Sequence, residues 1–118
     1  MKGFTELAIG GKKRPVKFGI NQTELFCKLR GISAGEYFSF LKDRFVGAKG
    51  DGGELRDLLW SALKDGARVQ KLEFDYEPTD VGDWMDGMKQ EEFKPMMDAF
   101  YDSLPIPDES KKKLKKTI

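Results

Sequence analysis

The chain has 118 residues, of which 35% are charged and 39% are hydrophobic, and its net charge is +1. This length fits one domain with a hydrophobic core, and the small net charge provides no overall attraction to nucleic acid or to an anionic membrane. A single cysteine, Cys27, and the absence of histidine exclude an intrachain disulfide and a conventional zinc site, and the lack of a long apolar run or a signal-peptide pattern predicts a cytoplasmic protein.

The first predicted element is a β-hairpin over residues 4–20, where apolar and polar residues alternate. A two-residue turn at Gly10-Gly11 would set Ile9 opposite Lys12 and Leu7 opposite Arg14, which wastes the apolar face. A wider loop over Gly10–Pro15 pairs Ile9 with Val16 and Leu7 with Phe18. The sequence therefore favours the wider loop, which places Pro15 at the start of a strand.

Two helices are predicted next. Asn21 is the expected N-cap of a helix that ends at Gly31, with inward residues Leu25, Phe26 and Leu29. Ser33 and Glu36 form a capping-box pattern that begins a helix with Tyr37, Phe38, Leu41 and Phe45 on one side. Residues 47–53 are rich in glycine and predict a mobile connector, because a phosphate-binding loop would need a Lys-Ser/Thr ending and a preceding strand.

The segment Leu55–Gly66 gives the clearest helical pattern. Its apolar residues recur at the spacing of a core-facing stripe, namely Leu55, Leu58, Leu59, Ala62 and Leu63. The rest of the circumference carries Arg56, Asp57, Ser61, Lys64 and Asp65, while Trp60 lies on the flank. Gly66 follows where a left-handed C-cap is expected.

In the second half of the chain, the residues that begin and end the predicted elements are less regular. Val69–Glu77 alternates apolar with acidic residues, which fits either a short strand or an extended linker packed on the core. Pro78 begins a helix with Val81, Trp84, Met85 and Met88 on one face. The last strong helix carries Phe93, Met96, Met97, Phe100, Tyr101 and Leu104, with Pro95 in its first turn and a stop at Pro105.

These elements together predict a mainly α (α+β) domain over residues 1–107, in which the N-terminal hairpin packs on a bundle of about five helices. Residues 108–118 are expected to form a flexible Lys-rich tail.

The chain shows no catalytic constellation, so the sequence predicts a protein that is not an enzyme and holds no metal or cofactor. Asp80, Asp83 and Asp86 are better explained as residues that cap and solvate a helix than as metal ligands or acids. Cys27 has no histidine to activate it and is expected at the edge of the core. The tail lysines are expected to form a solvated terminus, since no basic face accompanies them.

Methionine and aromatic residues are concentrated in the last two predicted helices, and the central helix adds Trp60. Methionine adapts to varied partners, and tryptophan and tyrosine are enriched at interface hot spots. A chain of this size cannot hide all its large apolar side chains, so part of the set is expected to stay exposed as a docking patch. The candidate partner-binding residues are Trp60, Trp84, Met85, Met88, Phe93, Met96, Met97 and Tyr101.

Three segments resemble the tail assembly chaperones of long-tailed bacteriophages and prophages. They are residues 7–19 (Leu-Ala-Ile-Gly-Gly-Lys, then Pro-Val-Lys-Phe-Gly), residues 58–66 and residues 81–86 (Val-Gly-Asp-Trp-Met-Asp). The resemblance spans most of the chain to about Leu104 and implies a small, mainly helical protein with an N-terminal hairpin. It implies that the protein binds the tape measure protein and keeps it soluble while tail tube subunits assemble around it. It also implies that the chaperone is absent from the finished virion.

Two other classes of protein stay open. A small DNA-associated regulator would show an exposed basic recognition helix, but Arg30, Lys42 and Arg44 are few and scattered. A non-catalytic subunit of a larger complex would co-purify with one enzyme. Self-association is a further expectation, whereas contact with a membrane or with nucleic acid is not expected.

Overall fold

The computed structural model describes residues 1–41 and 52–117, in which an antiparallel hairpin packs against α-helices. The strands are β1 (Phe4–Ile9) and β2 (Lys12–Lys17). The helices are α1 (Ile20–Arg30), α2 (Ala34–Phe40), α3 (Gly52–Gln70), α4 (Pro78–Asp86), α5 (Lys94–Ser103) and α6 (Asp108–Thr117), with a short 3₁₀ turn at Gln90–Phe93. The predicted fold class is confirmed, with six α-helices in these residues where about five were expected.

The predicted hairpin register is wrong. Ile9 pairs with Lys12 and Leu7 with Arg14, so the turn is the two-residue Gly10-Gly11 turn. Both glycines have positive φ, 63° and 82°, the geometry that matches the twist of a tight hairpin. The apolar face is not wasted, because Leu7, Ile9 and Val16 are all buried, and the Arg14 side chain finds partners of its own, described below.

Pro15 is the fourth residue of β2, not its first, and pairs with Glu6. Pairs in an antiparallel ladder alternate between hydrogen-bonded and non-hydrogen-bonded. The bond from the Phe18 amide to the Gly3 carbonyl (2.8 Å) fixes the phase, so odd-numbered residues of β1 are bonded to β2. Pro15 therefore lies in a non-bonded pair, where its missing N–H costs no ladder bond.

The central helix α3 is longer than predicted, and its core stripe is confirmed. Leu58, Leu59, Ala62 and Leu63 are fully buried, and Leu55 is partly buried. Gly66 is not a C-cap but lies inside the helix. A Cβ at Gly66 would overlap the Pro15 carbonyl and lie 2.8 Å from the Val16 nitrogen, so glycine allows α3 to touch the backbone of β2.

The first two helices follow part of the prediction. Gly31 ends α1 in the left-handed conformation, and Ser33 and Glu36 cap α2 reciprocally. The predicted Asn21 cap is wrong, because α1 begins at Ile20 and its N-cap is Gly19, two residues before Asn21. Leu29, which was predicted to point inward, is 40% exposed. Phe45 and residues 47–51 of the predicted loop lie outside the described residues, as does the side chain of Phe38, while Gly52 and Gly53 begin α3.

After α3 the chain is an extended linker and not a strand over residues 72–77. The alternation appears in the packing at Phe74 and Tyr76, which are half-buried between exposed acidic residues. It fails at Leu72, which is exposed. Pro95 lies in the first turn of α5, as predicted. Phe18 of the hairpin meets Phe100 of α5 edge to face at 5.4 Å between ring centroids, which places α5 under the hairpin.

The Lys-rich segment was predicted to be a flexible tail, but residues 108–117 form α6. Asp108 and Glu109 in its first turn favour a helix, because acidic side chains stabilise the positive N-terminal end of the helix dipole. Lys111 is buried, and its ammonium donates to the Asp102 carbonyl of α5 at 2.8 Å. Burial and the neighbouring Lys2 lower the pKa of Lys111.

Candidate functional site

The helix α4 presents its apolar face between the hairpin turn and the N-terminal part of α3. Val81 anchors α4 in the core with no exposed surface, and Trp84, Met85 and Met88 are half-buried around it. The predicted shared face is therefore confirmed for Val81, Trp84 and Met85, whereas Met88 lies beyond the end of α4 at Asp86. The N-terminus of α4 is fixed by Asp80, whose carboxylate accepts the Glu77 amide at 2.8 Å, which is the capping role expected for that residue.

Arg14 connects the hairpin turn to α4. Its guanidinium donates to the carbonyls of Ile9 (2.9 Å) and Gly10 (3.1 Å). The same group stacks over the rings of Trp84 at 4.3 Å and Tyr76 at 5.2 Å. A planar guanidinium can hydrogen-bond along its edge and stack on its faces at once, so Arg14 fixes the turn and the tryptophan together.

Gly10 is required at this junction for a second reason. A Cβ at that position would lie 2.7 Å from the indole ring of Trp84. The positive φ of Gly10 and its contact with Trp84 both exclude other side chains. The hairpin turn thus forms one rigid unit with α4.

An aromatic row continues from Trp84 to Trp60 through the linker. Adjacent ring centroids lie 5.0 Å apart for Trp84 and Tyr76, 4.0 Å for Tyr76 and Phe74, and 5.7 Å for Phe74 and Trp60. The indole N–H of Trp60 donates to the Tyr76 carbonyl at 3.1 Å, and Lys64 lies 5.1 Å from the Trp60 ring. The linker therefore covers one side of Trp60.

Two grooves flank α4. The turn groove, of about 430 Å³, is lined by residues 8–12 together with Trp84, Gly87, Met88 and Glu92. The helix groove, of about 410 Å³, is lined by Gly52, Gly53, Arg56, Thr79, Gly82, Asp83, Met85, Asp86 and Phe93. Each groove combines methionine and aromatic side chains with charged residues. Asp83 and Asp86 are exposed in the helix groove.

The structure divides the predicted partner-binding residues into two groups. Trp60, Trp84, Met85, Met88, Phe93 and Met97 are half-buried at the surface. Met96 and Tyr101 are 0% and 3% exposed, so their inclusion in a docking surface is wrong. Both residues lie, like Phe100, on the buried side of α5. Helical spacing alone does not tell a buried side from an exposed side. The most exposed large apolar residues in the described chain lie elsewhere, at Met1, Ile20, Leu29 and Leu72.

A buried polar stripe on α3 was missed by the sequence reasoning. Asp57 is nearly covered and accepts from Arg30 at 2.8 Å and from Arg56 at 2.9 Å. Ser61 is fully buried and accepts from the Gln22 amide at 3.0 Å, which joins α1 to α3. The signal was the spacing of Asp57, Ser61 and Asp65 at four-residue steps along one side of the helix. This spacing was not taken as a sign of burial, because polar residues on a helix are ordinarily expected to face the solvent.

The chemistry available in the described residues is limited. Cys27 is buried, and burial, followed by the charge of Glu36, raises the pKa of its thiol, which keeps the thiol neutral and weakly nucleophilic. Residues 1–41 and 52–117 contain no group of three or more cysteine, aspartate or glutamate side chains arranged to hold a metal ion. None of the helices in these ranges is both long enough and apolar enough to span a membrane.

Comparisons of the chain with models of protein families, with curated proteins and with solved structures found no match.

Proposed function

We propose that this protein is a phage tail assembly chaperone that binds the tape measure protein and keeps it soluble while the tail tube assembles. In this proposal the chaperone leaves before the virion is complete and has no catalytic activity of its own. The tape measure protein is its main partner, the tail tube protein a second one, and self-association a further feature. The host cytoplasm is its place of action.

The observation that carries the proposal is the turn groove. Trp84 is held rigidly by Arg14 and Tyr76, so it provides a preorganised aromatic wall with little further entropy to lose on binding. Met88 provides an unbranched, polarizable wall that adapts to different apolar side chains. A rigid tryptophan beside an adaptable methionine suits a protein that must cover varied apolar side chains of a long partner.

The sequence resemblance supports the same assignment. The three segments that carry it include the hairpin turn, about half of α3 and the last two-thirds of α4. The first and third of these segments supply Ile9, Gly10, Gly11, Lys12 and Trp84 of the turn groove. The fold implied by the resemblance, a small and mainly helical protein with an N-terminal hairpin, agrees with the observed architecture.

The test is co-expression with the tape measure protein of the phage or prophage that encodes the chain. The wild-type chain is expected to keep the tape measure protein in the soluble fraction and to co-purify with it. The substitution Met88→Glu places a charge in the turn groove without removing the Arg14 stack, and we expect it to abolish both effects.

The matched control is Leu72→Glu, which changes an apolar side chain that is 56% exposed and does not line the turn groove. It should behave as wild type. A tape measure protein that stays insoluble with the wild-type chain contradicts the proposal. Equal solubilisation by Met88→Glu and wild type would place the binding surface elsewhere.

A further inference from the structure

The hairpin has one closed edge and one open edge. Because odd-numbered residues of β1 bond to β2, the backbone N–H and C=O groups of Phe4, Glu6 and Ala8 point away from β2. On the other strand, the outward-pointing groups are those of Lys13, Pro15 and Lys17. The two edges can therefore be compared residue by residue.

The edge of β2 is closed in two ways. Pro15 has no N–H to offer at its centre, and the Pro15 carbonyl lies against Gly66 of α3. A proline on an outward-facing position and a covering helix are two of the devices by which proteins prevent strand addition.

The edge of β1 lacks these devices between Glu6 and Ala8. Both residues are exposed, and no hydrogen bond joins their outward backbone groups to any residue in the described part of the chain. Ala8 and Ile9 also form the strand side of the turn groove, opposite Trp84 and Met88. The open edge thus leads directly into the groove.

We propose that an extended segment of a partner protein adds to β1 as a third strand and places an apolar side chain in the turn groove. Backbone groups of Glu6 and Ala8 supply the hydrogen bonds, and the groove selects the side chain, as in other cases of strand addition to a sheet edge. This inference rests on the proposed partner-binding function and specifies how binding occurs.

Charge identifies the segment further. Glu6 is the one charged residue of β1 and forms no ion pair within the described residues. The turn groove carries one acidic and one basic side chain, Glu92 and Lys12, so the charge that selects the segment is that of Glu6. A lysine or arginine of the partner opposite Glu6 forms a favourable cross-strand pair. The segment is therefore extended, apolar at alternate positions and basic between them. A second copy of this chain fits less well, because full antiparallel pairing of two β1 strands places Glu6 opposite Glu6 of the second copy, and like charges directly opposite are destabilising.

The test uses the full chain and a short capped peptide of alternating valine and lysine, followed by nuclear magnetic resonance. Addition of the peptide should slow hydrogen exchange at the amides of Glu6 and Ala8. The same peptide with N-methyl groups on alternate residues has lost the donors that face β1, and we expect it to bind at least about tenfold more weakly, which corresponds to one or two backbone hydrogen bonds.

Two matched variants separate the edges. Ala8 and Lys13 form one non-bonded pair, so proline at either position removes an outward N–H and no ladder bond. Ala8→Pro should weaken peptide binding by about tenfold or more, whereas Lys13→Pro should leave it unchanged. Equal binding by both variants, or by both peptides, overturns strand addition. A concentration-dependent dimer that Ala8→Pro dissociates also overturns it, because the edge would then hold a second copy.

Failure of strand addition can be told apart from failure of the proposed function. If Ala8→Pro still solubilises the tape measure protein as wild type does, strand addition is wrong while the chaperone function stands. If the wild-type chain fails to hold the tape measure protein, the chaperone function is wrong, and the peptide experiment alone decides whether β1 accepts a strand.

Discussion

Replacement of Gly66 by alanine tests how closely α3 meets the hairpin. In an ordinary helix interior this change stabilises by about 1 kcal/mol, because alanine loses less backbone entropy than glycine. Here the new methyl group would overlap the Pro15 carbonyl and lie 2.5 Å from its carbon and 2.8 Å from the Val16 nitrogen. All three atoms belong to the backbone, so α3 and β2 must separate.

The expected magnitude follows from these two opposing effects. Overpacking of this kind costs up to about 3 kcal/mol, so the net loss in the free energy of unfolding is about 2 kcal/mol, and the melting temperature falls by roughly 5–10 °C. Urea denaturation followed by circular dichroism measures it. Gly82→Ala in α4 is the matched control, since its Cβ meets only the flexible Arg56 side chain, at 3.1 Å. That variant should be neutral or slightly more stable. A Gly66→Ala protein as stable as Gly82→Ala would refute the close contact.

Three further predictions concern the junctions between elements. Arg14→Lys should cost about 1–2 kcal/mol of unfolding free energy, because an ammonium cannot bond two carbonyls and stack on two rings together. Ser61→Ala should cost about 1–3 kcal/mol, because it leaves the buried Gln22 amide without that acceptor. Burial raises the pKa of Tyr37 and Tyr101 to about 12. The stabilisation that comes from burying these two neutral phenols is therefore complete below pH 10, which is the pKa of tyrosine in the unfolded chain. This stabilisation is lost as the pH rises from 10 to 12.

Each of these predictions has a clear opposite result. Urea midpoints of Arg14→Lys and of Ser61→Ala that equal the wild-type value would show that the stack or the buried bond contributes nothing. For the tyrosines, the tyrosinate absorbance should rise late, together with the loss of folded signal. Titration of all three tyrosines near pH 10 with unchanged stability would contradict their burial.

The fold was largely predictable because its signals are local. The stripe of Leu58, Leu59 and Leu63 needs only helical periodicity, and the caps at Ser33 and Gly31 need only nearby backbone groups. The errors arose where a distant element decided the outcome. The tight turn at Gly10 and Gly11 was rejected because Arg14 faced the core in that register, and only the later residues Tyr76 and Trp84 make this position favourable.

The candidate site was partly predictable for the same reason. The shared face of Val81, Trp84 and Met85 on α4 follows from their spacing, whereas the burial of Met96 and Tyr101 depends on the position of α5 under the hairpin. The open edge of β1 could not be recognised without the correct register. Likewise, Gly66 was predicted to end the helix because its real role is a contact with Pro15, which is fifty-one residues away in the chain and is not visible from local sequence.

Hydrogen exchange of the chain with and without the tape measure protein tests whether the turn groove holds this proposed partner. We expect slower exchange at residues 6–12 and 84–92, with little change on the outer side of α1. Protection confined to α1 or α6, or no protection at a concentration where the two proteins co-purify, would contradict it.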